Sequence, residues 1–192
     1  MKYYRLIITL FLLTGGVILN LSEADAKAKP KTDTVAIIET NLGNIEIELL
    51  PKDAPLTVAN FMKQAKAGAF NGTTFHRLVP GFVIQGGDPL SKDDDPSNDG
   101  FGGGQMPVEP RKHSNIRGTV SMASGSRAKP IDSQSDVQFF INQGNNAALD
   151  GFGFIPFAKV IKGMDVVDKI IQQPRDNNDR PLKNITMKVV IK

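Results

Sequence analysis

Phe75-His76-Arg77-Leu78-Val79-Pro80-Gly81-Phe82-Val83-Ile84-Gln85-Gly86-Gly87-Asp88 is the stretch on which the reading of this chain turns. One arginine, Arg77, stands among seven apolar residues. A guanidinium in so apolar a setting is either paired with a carboxylate or aimed at a ligand, and composition alone favours the paired, structural reading. Gln85 follows, then Gly86-Gly87, a pair that permits a bend or a close approach of backbones. Phe82-Val83-Ile84 reads as a short strand.

Working outward, the flanks are made of short apolar segments punctuated by Gly, Pro, Asn and Asp. On the N-terminal side, Val35 to Thr40 and Asn44 to Leu50 are strand candidates. In the second, Ile45, Ile47 and Leu49 alternate with Glu46 and Glu48, the period of a half-buried strand. Asn41-Leu42-Gly43-Asn44 between them supplies residues that tolerate positive φ, so the pair reads as a β-hairpin. A helix follows, with Asp53 placed to cap it, Pro55 in its first turn, Gly68 to stop it, and Val58, Phe61, Met62 and Ala65 on one face. On the C-terminal side, Gly118 to Met122, Val137 to Asn142, Phe154 to Val160 and Ile185 to Ile191 read as strands. A second short helix covers Met164 to Ile171 and ends before Pro174. Ser91 to Gly104 is a loop by composition. Many short strands, two helices and no β-α-β rhythm imply an all-β dominated fold, a closed antiparallel β-barrel.

The chain has 192 residues, 40% hydrophobic and 22% charged, with no cysteine and a formal net charge of +3. That length suits one domain able to bury a core without staples. The absence of cysteine excludes disulfides, thiolate metal sites and cysteine nucleophiles. No dense basic run with interleaved aromatics suggests a nucleic-acid partner. Residues 1–26 read as a signal peptide: Lys2 and Arg5, an apolar run from Leu6 to Leu21, then Ala24-Asp25-Ala26 as a small-x-small cleavage pattern. The run falls short of a spanning helix, so no stable membrane span is expected after cleavage, an uncleaved anchor being the alternative. Residues 27–33 read as a polar, flexible leader and 34–192 as the domain. Export to a periplasm is the expected destination, with a secretory lumen as the alternative.

Other chemistries find little support. His76 and His113 have no second ligand at helical spacing, which argues against zinc. Asp93-Asp94-Asp95, with Asp88 and Asp99, lacks the alternating acids and final Glu of a calcium loop. Gly100-Phe101-Gly102-Gly103-Gly104 has no Gly-Lys-Ser/Thr after it and opens no helix, so a phosphate loop is unsupported. No Gly-x-Ser-x-Gly elbow is present.

The stretch Phe75 to Asp88 is similar to the signature segment of the cyclophilins, the peptidyl-prolyl cis-trans isomerases of that type. Further motifs occur in the same order as in that family: Asp99 to Gly104, Gly118-Thr119-Val120-Ser121-Met122-Ala123, Gln138-Phe139-Phe140-Ile141, Leu149-Asp150-Gly151, Phe157-Ala158-Lys159-Val160 and Gly163-Met164-Asp165-Val166-Val167. The resemblance covers nearly all of residues 35–192, in particular that of exported bacterial members. It implies an eight-stranded antiparallel barrel capped by two helices, and rotation of X-Pro bonds in unfolded or newly exported chains, without cofactor or metal. It further implies that Arg77 hydrogen-bonds the prolyl nitrogen and adjacent carbonyl, with Gln85 and Phe82 beside it as catalytic residues. Val83, Phe140 and Leu149 would join Phe82 around the proline ring, and Ala123, Ser124 and Gln138 would line the groove before it. Phe154 would fall where the family has His or Tyr near the pocket, across a one-residue shift at Asp150-Gly151-Phe152-Gly153.

Three positions depart from the family pattern. Ala148 stands where many members have an aromatic, Ser124 where Asn is common, and Val83 where Met often lines the pocket. The first leads to an expectation of weak cyclosporin binding. The expected partners are Pro-containing polypeptides, with the protein itself a monomer. The competing function is a binding module that grips Pro-containing segments with little turnover.

Overall fold

The structure, a computed structural model, describes residues 34–192. The expected signal peptide and flexible leader lie outside the described residues. Nine strands and two α-helices follow one another as β1 (Val35–Thr40), β2 (Gly43–Leu49), α1 (Pro55–Lys66), β3 (Phe75–Val79), β4 (Val83–Gly86), β5 (Gln105–Pro107), β6 (Thr119–Ser124), β7 (Ser133–Asn142), β8 (Pro156–Lys162), α2 (Met164–Ile171) and β9 (Met187–Ile191).

Every pairing is antiparallel. The sheet runs β3-β4-β7-β6-β8-β2-β1-β9, with the short β5 added on β7. Its two ends approach at a bridge between Thr74 and Thr186, where the Phe75 amide donates to the Ile185 carbonyl at 2.9 Å and the Met187 amide to the Thr73 carbonyl at 2.8 Å. The eight strands of the main path match the expected number. The expected closed barrel is in fact a curled sheet with a seam, because a single bridge rather than a ladder joins its ends.

Period-two alternation decides which side chains enter the core. In β2, Ile45, Ile47 and Leu49 are buried, while Glu46 and Glu48 face Lys192 and Lys159 outside. The same alternation puts Ile84 of β4, Val120 and Met122 of β6, and Phe139 and Ile141 of β7 into one apolar cluster. Phe61 of α1 and Phe157 of β8 complete it, with Phe61 5.0 Å from Phe157 and 5.8 Å from Phe139 between ring centroids.

The start of α1 differs from expectation. Asp53 does not cap it; its carboxylate pairs with His113 Nε2 at 2.8 Å. The cap comes from Glu109, far along the chain, which accepts the Leu56 and Thr57 amides at 2.9 and 2.8 Å. A carboxylate there also meets the positive end of the helix dipole. Pro55 lies in the first turn, and Gly68, with φ of +72°, follows the last. Phe82 lies in the turn ahead of β4 rather than in a strand, and the Ser91–Gly104 loop begins inside a 3₁₀ turn, Pro89–Lys92.

Candidate active site

Arg77 owes its position to an irregularity in β3. Phe75 opposes Gly86 on β4 and Arg77 opposes Gln85, so His76 is an extra residue with no partner across the ladder. Such a bulge reverses the side-chain alternation beyond it. Phe75 points into the core and so does Leu78. Without the bulge Arg77 would share the inward face of Phe75. With it, the guanidinium emerges on the outer face of the sheet.

The strands beside β3 present their outward residues to the same place. Val83 and Gln85 alternate with Ile84 on β4, Gln138 and Phe140 with Phe139 on β7, and Ala123 with Met122 on β6. Together with Phe82, Ser124, Leu149 and Phe154 they surround a cavity of about 270 Å³ against Arg77. All ten residues singled out in the sequence line it. Gly100, which the sequence reading placed only in a loop, lines it too.

A chain of amides fixes the polar side. Arg77 Nη1 donates to Gln85 Oε1 at a long 3.5 Å, and Gln85 Nε2 to Gln138 Oε1 at 3.1 Å. Gln138 Nε2 in turn donates to the carbonyls of Gly100 and Gly102 at 3.0 and 2.8 Å. The glycine loop is held from behind by the buried Asp88, whose carboxylate accepts the amides of Leu90 (2.8 Å), Gly102 (3.2 Å) and Gly100. Gly104 donates its amide to Asp136 at 2.7 Å. These glycine amides are therefore turned to the protein's own carboxylates and not to a phosphate. Gly86 and Gly87 have no room for a side chain: a Cβ on Gly86 would lie 2.6 Å from the Thr74 carbonyl, and Gly87 has φ of +87°.

The apolar side is equally tied. Phe154 packs edge-on against Phe140, ring centroids 5.5 Å apart. Leu149 sits in a 3₁₀ turn, Ala147–Phe152, and Asn146 just before that turn donates to the Phe82 carbonyl and to Asn142 Oδ1, both at 2.8 Å. Asp150 anchors the turn by accepting the Asn115 amide and side chain at 2.9 Å. Burial works to raise the Asp150 pKa, but hydrogen bonds from Ser114 and Asn115 outweigh it and hold the carboxyl below its usual range. Asp150 belongs to the Leu149-Asp150-Gly151 motif, but nothing in the spacing of Asn115 or Asn146 marks them in sequence; the contacts span up to 64 residues.

Of the acids weighed as a calcium loop, Asp99 pairs with Arg180 at 2.7 Å, and Asp93 and Asp95 accept local amides in turns. Among the described residues no group of His, Asp or Glu is gathered to hold a metal ion. No helix among them is long and apolar enough to cross a membrane.

His76 is 6% exposed, and neither ring nitrogen has a hydrogen-bond partner among the described residues. Burial lowers its pKa, the carboxylates of Asp88 and Asp99 oppose that, and Arg77 and Arg180 add to it. A histidine depressed in the folded state is protonated first in the unfolded chain, whose value is about 6.5. The contribution of His76 to stability is therefore present in full above about pH 6.5 and is lost as the pH falls through the folded value. Denaturant midpoints at pH 7 and 5.5 are expected to differ more for the wild type than for His76→Gln. Equal differences in the two proteins would assign the pH dependence to other groups.

The arrangement offers one fixed cation with several donors, held by an amide chain, above a small apolar pocket. It presents no activated nucleophile. Residues 35–191 match the family model described as cyclophilin type peptidyl-prolyl cis-trans isomerase/CLD. Peptidyl-prolyl cis-trans isomerase A of Dickeya dadantii is 37% identical over 185 residues, covering 91% of this chain and 90% of that protein. A peptidyl-prolyl cis-trans isomerase of Acinetobacter baylyi is 36% identical over 166 residues, covering 85% and 81%. Among solved structures, a Cryptosporidium parvum cyclophilin crystallised in the presence of the dipeptide Ala-Pro superposes with a TM-score of 0.72 at 30% identity, covering 82% of this chain and 98% of that one.

Proposed function

Because the chain belongs to the cyclophilin-type peptidyl-prolyl cis-trans isomerases, we propose that Arg77 is the group through which it acts, over a proline pocket of Phe82, Val83, Phe140, Leu149 and Phe154. The reaction is rotation about an X-Pro peptide bond, in keeping with a part in protein folding. Its barrier of about 20 kcal/mol comes from amide resonance. Twisting the bond destroys the resonance and leaves a lone pair on a pyramidal nitrogen. A catalyst need only bind that twisted state better than either planar one.

The observation that carries the assignment is the bulge at His76, which brings the guanidinium to the outer face beside the apolar pocket. A donor there meets the prolyl nitrogen only when its lone pair is free. An apolar surround strengthens such a bond. Gln85 holds Arg77 and Gln138 holds Gln85, while Ala123 and Ser124 line the path of the residues before proline. Exchange NMR on an Ala-Pro peptide tests the reading. Uncatalysed exchange takes tens of seconds and leaves no cross-peaks. Cross-peaks with the protein support it. Their absence with a folded protein would leave a pocket that grips proline without turnover.

The substrates in this reading are Pro-containing stretches of unfolded or newly exported chains. Residues 1–26 carry the export signal, and a mature protein beginning at Lys27 by mass spectrometry is the outcome that supports it. The protein acts as a monomer. Cyclosporin inhibits it weakly, because the exposed Ala148 adds no ring to the groove; nanomolar inhibition would overturn that expectation.

A further inference from the structure

A second cleft, of about 370 Å³, opens beside the proline pocket and shares Ser124 and Phe154 with it. Its floor is apolar, made by Ile131, Phe152 and Phe154, and its rim carries Arg127 and Lys129. The two walls are stitched together: the Ile131 amide donates to the Phe152 carbonyl at 2.9 Å. The Ser124 hydroxyl donates to the Ser126 carbonyl at 2.5 Å, which ties the loop to the end of β6. The segments lining the cleft are thus tied to one another by hydrogen bonds.

Its charge is one-sided. Among the described residues Arg127 has no ion pair, and Lys129 makes only a cation–π contact, Nζ lying 5.9 Å from the centre of the Phe152 ring. The nearby carboxylates are engaged elsewhere. Asp132, which does not line the cleft, accepts a hydrogen bond from the Ser133 hydroxyl at 3.4 Å, and Asp150 is bound by Ser114, Asn115 and Arg111. Phe152 is 42% exposed, a large ring left facing water. A half-covered apolar floor beside two cations that have no ion pair among the described residues matches an occupant with the opposite pattern.

We propose that this cleft is a second substrate subsite, which takes an apolar side chain flanked by a carboxylate on the same polypeptide that presents the proline. The inference rests on the reading of Arg77 and its pocket as the active site. The two depressions are contiguous, and an extended chain advances about 3.3 Å per residue. A polypeptide seated by its proline therefore crosses the second cleft within a few residues. The enzyme consequently favours X-Pro bonds with an apolar–acidic pair close by, and disfavours an apolar–basic pair.

Exchange rates on three peptides test it: an Ala-Pro core flanked by Phe and Glu, by Phe and Lys, or by alanines, each flank placed before and after the proline in turn. For the better-placed flank, the wild type is expected to show a kcat/KM about fivefold higher for the Glu peptide than for the Lys peptide, the ratio shrinking at high salt. In the Arg127→Glu/Lys129→Glu double variant the preference reverses, while turnover of the all-alanine peptide stays unchanged. In Phe152→Ala the advantage of either Phe-bearing peptide over the alanine one falls. An unreversed ratio in the double variant, or no charge preference in the wild type, overturns the subsite. Failure of the wild type on the all-alanine peptide would instead strike the active-site reading itself.

Discussion

Arg77→Ala is expected to lower kcat/KM for an Ala-Pro peptide by about 10²- to 10³-fold, the usual loss when one preorganised donor is removed from a reacting centre. The fold should survive. Arg77 lies on the outer face, and among the described residues its one hydrogen bond to a side chain is the 3.5 Å contact to Gln85. No carboxylate is left uncompensated by its loss, because Asp99 is held by Arg180 and Asp88 by backbone amides. Melting and exchange NMR on the same sample separate the cases. A variant that melts like the wild type and loses exchange places the chemistry on Arg77. A variant that unfolds would show the guanidinium to be structural, and one that keeps its exchange rate would move the chemistry elsewhere. Arg77→Lys is expected to recover little, since an ammonium lacks the fixed fork of donors.

The second large effect is on stability. Phe139→Ala should cost about 3–5 kcal/mol, the range for emptying a large aromatic from a packed core. The ring is fully buried and stands edge-on to three others: Phe61 at 5.8 Å, Phe70 at 5.7 Å and Phe75 at 6.2 Å. Each such pair adds about 0.5–1.5 kcal/mol beyond its buried area. In a domain of this size the melting point should fall by about 10 °C. Its neighbours Gln138 and Phe140 face the opposite way, into the cavity. Turnover by the fraction still folded at low temperature should therefore stay within a few-fold of wild type. Chemical denaturation gives the first number, and a loss below about 1 kcal/mol would mean that the phenylalanine cluster refills the space.

Much of this was legible in the chain. Alternation in Ile45-Glu46-Ile47-Glu48-Leu49 is a local signal and predicts the inward and outward faces of β2 directly. The ten residues taken from the family resemblance all line one cavity: seven come from neighbouring strands that present outward positions side by side, and Phe82, Leu149 and Phe154 are brought there by turns and loops. What escaped the sequence is non-local or arises from one irregular residue. Asp53 is well placed by propensity to cap α1, yet Glu109 does so, and nothing near either residue announces it. Asp88 looked like a member of an acidic cluster but is buried under three backbone amides. The bulge at His76 is the sharpest case. Strict alternation through Phe75, His76 and Arg77 would send the arginine inward with the phenylalanine. Only the pairing with Gly86 and Gln85 reveals the reversal.

That the proposed site lies on the outer face of the sheet has a topological consequence for its clients. A cavity inside a barrel must be entered by a chain end or by a loop small enough to thread. A pocket on the convex wall requires neither, so a proline in the middle of a long, partly folded polypeptide can be laid against it and lifted away, with both flanking segments still attached to whatever else they are building.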